Sequence, residues 1–152
     1  MIGNKRVVCE NGLKQMDVWT KKKRSLVMAR ILGKNTKPEI KTRQILHSMG
    51  YRFRIHNENL PGKPDIVIAK HKTIIFVHGC FWHLHSGCRD GTIPKTRIAY
   101  WRNKLLTNKR RDAGNIRRLR RLGWKVLRLW ECEIERKPEK VHLKIIQTLK
   151  EC

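Results

Sequence analysis

The chain has 152 residues, and its 36 lysines and arginines against 12 aspartates and glutamates give a formal net charge of +24. This length suits one compact domain, and an apolar share of 39% with five tryptophans excludes a largely disordered chain. No apolar run reaches the ~18–20 residues of a membrane span, and the N-terminus lacks the apolar core of a signal peptide. We therefore expect a cytoplasmic protein with a polyanionic partner, nucleic acid before an acidic membrane surface or an acidic protein.

The first 35 residues divide into two predicted segments. Residues 1–15 show no hydrophobic periodicity and are interpreted as a flexible extension, so the single folded domain is expected to span residues 16–152. A basic run at residues 21–24 is followed by apolar residues at roughly helical spacing, which end at Gly33. The pattern predicts a short basic arm or helix over residues 16–35, suited to contact a polyanion.

A helix and three β-rich runs are predicted next. Thr36 and Glu39 form a capping-box pattern that opens a helix, and Gly50 stands where a terminating glycine is expected. The β-rich runs follow at residues 51–55, 65–69 and 73–77. Because only three residues separate the second run from the third, these two runs predict a hairpin.

The second half of the chain begins with a loop rich in His, Cys and Trp. The predicted elements are this loop, a helix, a strand and a closing helix at residues 78–88, 96–122, 124–130 and 138–149. Ala113 and Gly114 predict a break in the long helix. Alternation of helices and strands within one domain predicts an α/β fold, a small mixed β-sheet flanked by helices.

The loop carries residues with the spacing of a zinc site. Cys80, His85 and Cys88 form a C-x4-H-x2-C pattern, and Cys132, just beyond the last strand, is the best candidate for a fourth ligand. His83 is the rival to His85 as the ligand from this loop. The alternative is that the cysteines are small buried apolar residues. A closed site of this kind would fix the loop and leave catalysis to other residues.

Candidate catalytic residues surround the predicted hairpin. Asp65 opens its first strand and Val77 ends its second, so a hard cation such as Mg²⁺ could be held there against a phosphate group. His78 and His83 lie next in the chain and could move protons at neutral pH. The alternatives are an aspartate that only satisfies backbone amides, and histidines with surface or hydrogen-bonding roles.

The long helix and the strand after it are strongly basic. Residues 101–128 hold 11 lysines and arginines but only one acid, Asp112. Like charges four residues apart on a helix repel each other, so this density favours contacts with phosphate groups over a solvated helix face.

Two adjacent aromatic residues, Phe81 and Trp82, stand in the polar loop. Adjacent side chains in a loop do not easily enter one core together, so at least one is expected to be exposed. Exposed aromatic side chains can insert between base steps or stack on bases. Packing against Trp101 or Trp124 is the alternative.

Most of the chain resembles the very short patch repair DNA mismatch endonucleases. The stretches that carry the resemblance are GKNTKPE (33–39), LPGKPDIVI (60–68), FVHGCFWH (76–83), the later Cys88, and LGWKVLRLWECE (122–133). The resemblance implies a type II restriction endonuclease-like fold with a structural zinc. It also implies Mg²⁺-dependent nicking of one strand 5′ to the thymine of a T:G mismatch, the product of 5-methylcytosine deamination.

The resemblance also implies roles for single residues at the catalytic centre. Asp65 is expected to bind Mg²⁺, with the main-chain carbonyl of Val77 as a further ligand, although other members carry threonine there. His83 is expected to be the general base for the attacking water, and His78 its partner near the scissile phosphate. Glu39 occupies the position of a supporting acid.

Zinc and DNA ligands follow from the same resemblance. The implied zinc ligands are Cys80, His85, Cys88 and Cys132, with one extra residue between the loop's histidine and its second cysteine. The implied DNA-binding residues are Met28 in the arm, Phe81, Trp82 and Trp101 as the wedge, and Lys104 and Asn108 at the mismatched pair.

The expected protein is thus a monomeric nicking endonuclease of the bacterial cytoplasm, associated with the nucleoid. Its substrate would be double-stranded DNA with a T:G mismatch, and mismatch-repair proteins would be further partners. One alternative is a zinc-stapled module that binds distorted duplex without cutting, and another is a related nicking or restriction endonuclease. The presence of Asp65, His78 and His83 together favours catalysis.

Overall fold

The computed structural model describes residues 33–150 together with Thr20, Lys23 and Leu26. Residue contacts divide the chain into two units, Met1–Ile31 and Leu32–Cys152. The predicted extension, Met28 and most of the predicted arm lie outside the described residues, so the proposed domain boundaries stay predictions. Within the described part of the chain, no helix combines the length and apolar character that crossing a bilayer requires.

Helices and strands alternate through the second unit. In chain order they are α1 (Lys37–Ser48), β1 (Arg54–Ile55), β2 (Ile66–Ile68), β3 (Thr73–His78), α2 (Ile98–Arg121), β4 (Lys125–Trp130), α3 (Glu131–Arg136) and α4 (Pro138–Lys150). Short 3-10 turns occur at Ala69–His71, between β2 and β3, and at Arg89–Gly91, before α2.

The four strands form one mixed sheet in the order β1-β2-β3-β4. The first three strands are antiparallel, whereas β4 pairs parallel with β3 after the crossover through α2. The register places His78 opposite Trp130, so the carboxyl ends of β3 and β4 meet at one edge of the sheet. Because β2 runs antiparallel to β3, the residues that precede β2 reach the same edge.

The core occupies both faces of the sheet, as expected when alternate side chains of a strand point to opposite sides. Helices α1, α3 and α4 cover one face of the sheet. The buried residues of the helices and strands on this face include Leu46, Ile66, Ile75, Leu129, Ile134 and Ile145. Helix α2 covers the other face, where the buried residues are Val67, Ile74, Phe76, Ile116 and Leu119. The predicted mixed sheet flanked by helices is confirmed.

Three details differ from the sequence-based expectations. The predicted break in the long helix is wrong, because α2 runs through Ala113 and Gly114 without interruption. A glycine costs a helix only about 1 kcal/mol, and the burial of Leu105, Ile116 and Leu119 on either side of it outweighs that cost. The strand predicted at 51–55 is reduced to two residues, and the six-residue α3 has no counterpart among the predictions.

Candidate active site

Asp65 lies at the edge of the sheet where β3 ends. Its carboxylate Oδ2 accepts the main-chain N–H of Val77 at 2.8 Å, which ties the start of β2 to the end of β3. Its backbone carbonyl accepts the N–H of His56 at 3.2 Å. Asp65 therefore does satisfy one backbone amide, and its second carboxylate oxygen has no hydrogen-bond partner among the described residues.

The surroundings of Asp65 disfavour its charge. Burial raises the pKa of this carboxyl to about 6, the hydrogen bond from Val77 opposes that rise, and the nearby Glu39 adds to it. A cation at the free oxygen would favour ionisation instead. A hard carboxylate oxygen, half-buried beside a second carboxylate, fits the donor chemistry of Mg²⁺.

Glu39 is a buried acid, 4% exposed, that links α1 to this edge. Its two oxygens accept hydrogen bonds from the Asn35 N–H and the Thr36 hydroxyl at 2.9 Å, and from Arg43 at 3.1 Å. The capping box thus differs from the expected form, because Thr36 donates to Glu39 and makes no cap bond of its own. The Arg43 guanidinium also lies 3.0 Å from His56 Nε2.

The atoms of Glu39, His56 and Asp65 that could bind a metal lie within 4.8 Å of one another. The Arg43 guanidinium already places a positive charge against Glu39 and His56. Asp65 is therefore the residue of the three whose second carboxylate oxygen remains available to bind a metal. Glu39 is better described as a carboxylate that is held by its neighbours than as a direct ligand.

His78 and His83 stack at the same edge. Their ring centroids are 3.8 Å apart and their planes differ by 5°. Burial, and then repulsion from His83, lower the pKa of His78 to about 3, so this ring is neutral. His78 is only 5% exposed, and its Nδ1 atom is buried without a hydrogen-bond partner.

His83 is oriented by Asp112 from the middle of α2. Its Nδ1 donates to the Asp112 Oδ2 over 2.5 Å. Burial alone would raise the pKa of Asp112, but the hydrogen bond and charge of His83 lower it below its usual value. With Nδ1 engaged as a donor to a carboxylate, Nε2 is the nitrogen of His83 that can accept a proton.

Sequence reasoning gave Asp112 no role in the active site. The sequence does single out Asp112 in one way: it is the only acid among the basic residues of 101–128. The bond to His83 joins residues 29 positions apart, and the strand register or the loop spacing could not reveal it.

The loop after β3 and the first turn of α3 bring together Cys80, His85, Cys88 and Cys132, whose potential ligand atoms lie within 4.8 Å of one another. The Sγ atoms of Cys80 and Cys132 are 3.5 and 3.4 Å from His85 Nδ1. Tetrahedral zinc with Zn–S bonds of ~2.3 Å and Zn–N bonds of ~2.0 Å places S and N ligands about 3.5 Å apart. The four side chains therefore fit zinc, and His83 lies outside the cluster.

The aromatic residues named as a DNA wedge form one half-buried cluster. Edge-to-face contacts join Phe81 to Trp82 at 5.1 Å, Phe81 to Trp101 at 5.3 Å and Trp82 to Trp101 at 6.1 Å. Lys104 and Asn108 lie against it, with the Lys104 ammonium 5.8 Å from the Trp82 ring centre. Asn108 Nδ2 donates to the Trp82 carbonyl over 3.3 Å. The alternative of packing against Trp101 is thus met, and the expected exposure is met in part because the rings are only half-buried.

Comparison with known proteins identifies the family of this chain. The profile of the family DNA mismatch endonuclease Vsr matches residues 16–89. The type II nicking enzyme V.XorIIP of Xanthomonas oryzae pv. oryzae is 47% identical over 112 residues, which cover 74% of this chain and 82% of the relative. The type II nicking enzyme V.NmeAIP of Neisseria meningitidis is 46% identical over 121 residues, 80% of this chain and 86% of the relative.

A third relative is named for mismatch cleavage. The DNA mismatch endonuclease Vsr of Escherichia coli is 41% identical over 118 residues, which cover 78% of this chain and 75% of the relative. The residues matched by the family profile include Asp65, His78, His83 and the loop from Cys80 to Cys88. The chain therefore belongs to the Vsr family of DNA mismatch endonucleases and is a DNA nicking endonuclease.

Proposed function

We propose that this endonuclease nicks one strand of duplex DNA 5′ to the thymine of a T:G mismatch, by Mg²⁺-dependent hydrolysis in a restriction endonuclease-like fold. The observation that carries the proposal is the shared sheet edge, where Asp65 meets the stacked His78 and His83 with Asp112 behind them. A carboxylate that can bind a metal and a carboxylate-oriented imidazole are the two components that metal-assisted hydrolysis needs.

In this mechanism His83 takes a proton from the attacking water. Its Nδ1–H donates to Asp112, so Nε2 presents its lone pair, and the carboxylate stabilises the imidazolium that forms. Mg²⁺ held by Asp65 and the Val77 carbonyl would supply Lewis acidity at the phosphate. The neutral His78 lies beside the base and can exchange a hydrogen bond with a phosphate oxygen through its free nitrogen.

Glu39 supports this site from α1. The Arg43 guanidinium neutralises its charge, and hydrogen bonds from Asn35 and Thr36 fix its orientation. Glu39 is therefore a rigidly held, charge-paired carboxylate beside Asp65. We assign it a positioning role.

The zinc proposed for the four-residue Cys/His cluster would be structural, since four protein ligands leave no open coordination position. Such a site would anchor the loop on both sides of His83. Phe81 and Trp82, next to the first ligand, would also be held in place.

Recognition of the mismatch is assigned to the aromatic cluster. Phe81, Trp82 and Trp101 would enter the duplex beside the mismatched pair, while Lys104 and Asn108 would contact it. Met28, in the N-terminal arm, is proposed as a further DNA-binding residue. The contacts of Lys104 and Asn108 with Trp82 support a common unit, because both residues touch the proposed wedge.

The test is a strand-specific nicking assay on T:G duplexes in several flanking sequences, with other mismatches and matched pairs as competitors. We expect nicking 5′ to the mismatched thymine with Mg²⁺ and none in EDTA. Asp65→Ala or His83→Ala should abolish nicking while duplex binding persists, whereas His47→Ala, at the exposed end of α1, should nick normally.

Other results would select the alternatives. Specific binding of distorted duplex with no cleavage under any metal would favour a non-catalytic module. Mg²⁺-dependent nicking that ignores T:G pairs would favour a nicking enzyme of different specificity. The Xanthomonas and Neisseria relatives are named type II nicking enzymes. Cleavage by Asp65→Ala at the normal rate would overturn the metal-site assignment.

A further inference from the structure

A cavity of about 420 Å³ opens beside the two stacked histidines, between the sheet and α2. His78, His83 and Asp112 form part of its wall, and Trp130 closes one side. The cavity is therefore continuous with the proposed catalytic residues. Two further side chains on its wall, Lys109 and Arg128, have no place in the mechanism above.

The strand register explains why Arg128 reaches this cavity. Arg128 lies opposite Phe76 and Trp130 lies opposite His78. Since alternate residues of a strand share a face, Arg128 and Trp130 project from the face that carries His78. Arg128 thus comes from the strand that is the parallel neighbour of β3.

Helix α2 supplies Lys109 to the opposite wall. Lys109, Asp112 and Ala113 are spaced i, i+3 and i+4, which places them on one side of a helix, and all three line the cavity. Asp112 on this wall is committed to His83. Lys109 and Arg128 are both exposed, and neither side chain makes an ion pair or hydrogen bond within the described part of the chain.

His78 provides an independent indication of a ligand. Its ring is 95% buried, yet its Nδ1 atom has no partner among the described residues. A buried polar atom without a partner carries a desolvation cost of about 1–3 kcal/mol, which a ligand oxygen or N–H group in the cavity would offset. Two unpaired cations and this histidine together favour an oxyanion.

We propose that Lys109 and Arg128 bind the non-bridging oxygens of the phosphate that is cleaved, and retain the terminal phosphate after cleavage. The inference rests on the proposed function and adds two substrate-binding residues to it. Residues 77–79, at the end of β3, include no lysine or arginine, and Lys109 and Arg128 supply positive charge beside them. Hydrolysis converts a phosphodiester of charge −1 into a monoester of about −1.5 to −2 at pH 7, so the two cations hold the product more firmly than the substrate.

The test measures binding of three nicked duplexes without Mg²⁺ and without a chelator, so that no cleavage occurs and the proposed structural zinc is retained. One carries a 5′-phosphate at the nick, one a 3′-phosphate and one no phosphate. We expect the wild-type protein to prefer one phosphorylated nick over the unphosphorylated nick by about tenfold or more, the scale of a charge-assisted hydrogen bond. The preferred end shows which oxygen leaves in the reaction.

The variants are Arg128→Gln and Lys109→Gln, with Arg110→Gln as the matched control. Arg110 is an exposed cation of the same helix that does not line the cavity. Arg128→Gln and Lys109→Gln should each reduce the preference severalfold, whereas Arg110→Gln should weaken all three duplexes equally. Arg128→Lys should retain part of the preference, and thermal melting should show that every variant folds.

The proposal is overturned if the wild-type protein binds the three duplexes equally, or if Arg128→Gln and Lys109→Gln keep the full preference. This result is separable from the proposed function. A protein that nicks T:G duplexes but ignores the terminal phosphate would retain its function without this site. A protein that prefers a terminal phosphate but never nicks would retain the site without the function.

Discussion

His83 depends on Asp112 for its proposed role as a base, and Asp112→Asn tests this dependence with a nearly isosteric change. An asparagine amide can donate to Nδ1, which would leave the proton on Nε2 and block that nitrogen as a base. We expect the nicking rate to fall by at least about 100-fold, with little change in duplex affinity. Single-turnover nicking and binding assays separate the two effects.

Glu139→Gln is the control for that change, since Glu139 is an exposed acid at the start of α4, far along the chain from the catalytic loop. It should nick at the wild-type rate. An Asp112→Asn enzyme as fast as this control would remove Asp112 from the mechanism.

Arg43 is the side chain that neutralises the buried Glu39. Arg43→Met keeps much of the aliphatic stem but leaves the Glu39 carboxylate without its guanidinium partner. We expect a loss of about 1.5–3 kcal/mol in the free energy of unfolding, the range for a hydrogen bond to a charged group. Urea denaturation measures it. Lys41→Met, an exposed position on the same helix, should change stability by less than about 0.5 kcal/mol, and equal effects of the two would contradict the buried-pair argument.

At the scale of the helix, the glycine in the middle of α2 is an intrinsic weakness. A Cβ added at Gly114 would have no atom outside its own helix within 4 Å, so Gly114→Ala is sterically free. We expect it to stabilise the fold by about 0.5–1 kcal/mol and to raise Tm by a few degrees. Differential scanning calorimetry is the measurement.

Gly62→Ala provides the opposite case for comparison. Gly62 has a φ of +79°, and its added Cβ would lie 3.0 Å from the Asn115 side chain, so alanine there should lower Tm. A Gly114→Ala protein that melts below the wild type would contradict this prediction.

Elements with a local signature were the predictable part of this fold. The start of α1, the hairpin, β4 and α4 each follow from a capping pattern, β-branched runs or apolar spacing within a few residues. The short α3 has no such signature, since no glycine or proline separates it from β4. The continuity of α2 depends on its packing against the sheet, which local propensity does not contain.

The residues of the candidate site also divide into those with a local sequence pattern and those that depend on tertiary packing. Cys80, His85 and Cys88 follow from spacing within one loop, and Asp65 from its place at the start of a strand. The bond between His83 and Asp112 depends on where α2 crosses the sheet, and the contact between Arg43 and His56 joins a helix to a strand end. Tertiary packing decides both, so neither could be predicted from one sequence.

At the scale of the whole molecule, the Cys/His cluster connects the loop after β3 to α3. Helix α3 packs in the core on the face of the sheet opposite α2. We expect one zinc per chain, and we expect Cys132→Ser to lose both the metal and cooperative unfolding, because metal binding and folding are coupled in such sites. Metal analysis by mass spectrometry and thermal melts check the two outcomes together.

Cys9→Ser is the control, because Cys9 lies in the predicted N-terminal extension and is not part of the cluster. It should retain one zinc and the wild-type melting curve. Pure, folded wild-type protein without zinc would refute the assignment.

The loop from Cys80 to Cys88 has one further consequence. Three of the four proposed metal ligands, two of the three wedge residues and the proposed base lie within the nine residues from Cys80 to Cys88, so a displacement of this loop would move all of them together. Oxidation of the cysteine thiols of the metal cluster would therefore abolish the proposed cleavage and the proposed mismatch recognition together. The oxidised enzyme would then be inactive, and it would not become a nuclease that cuts DNA without recognising its site.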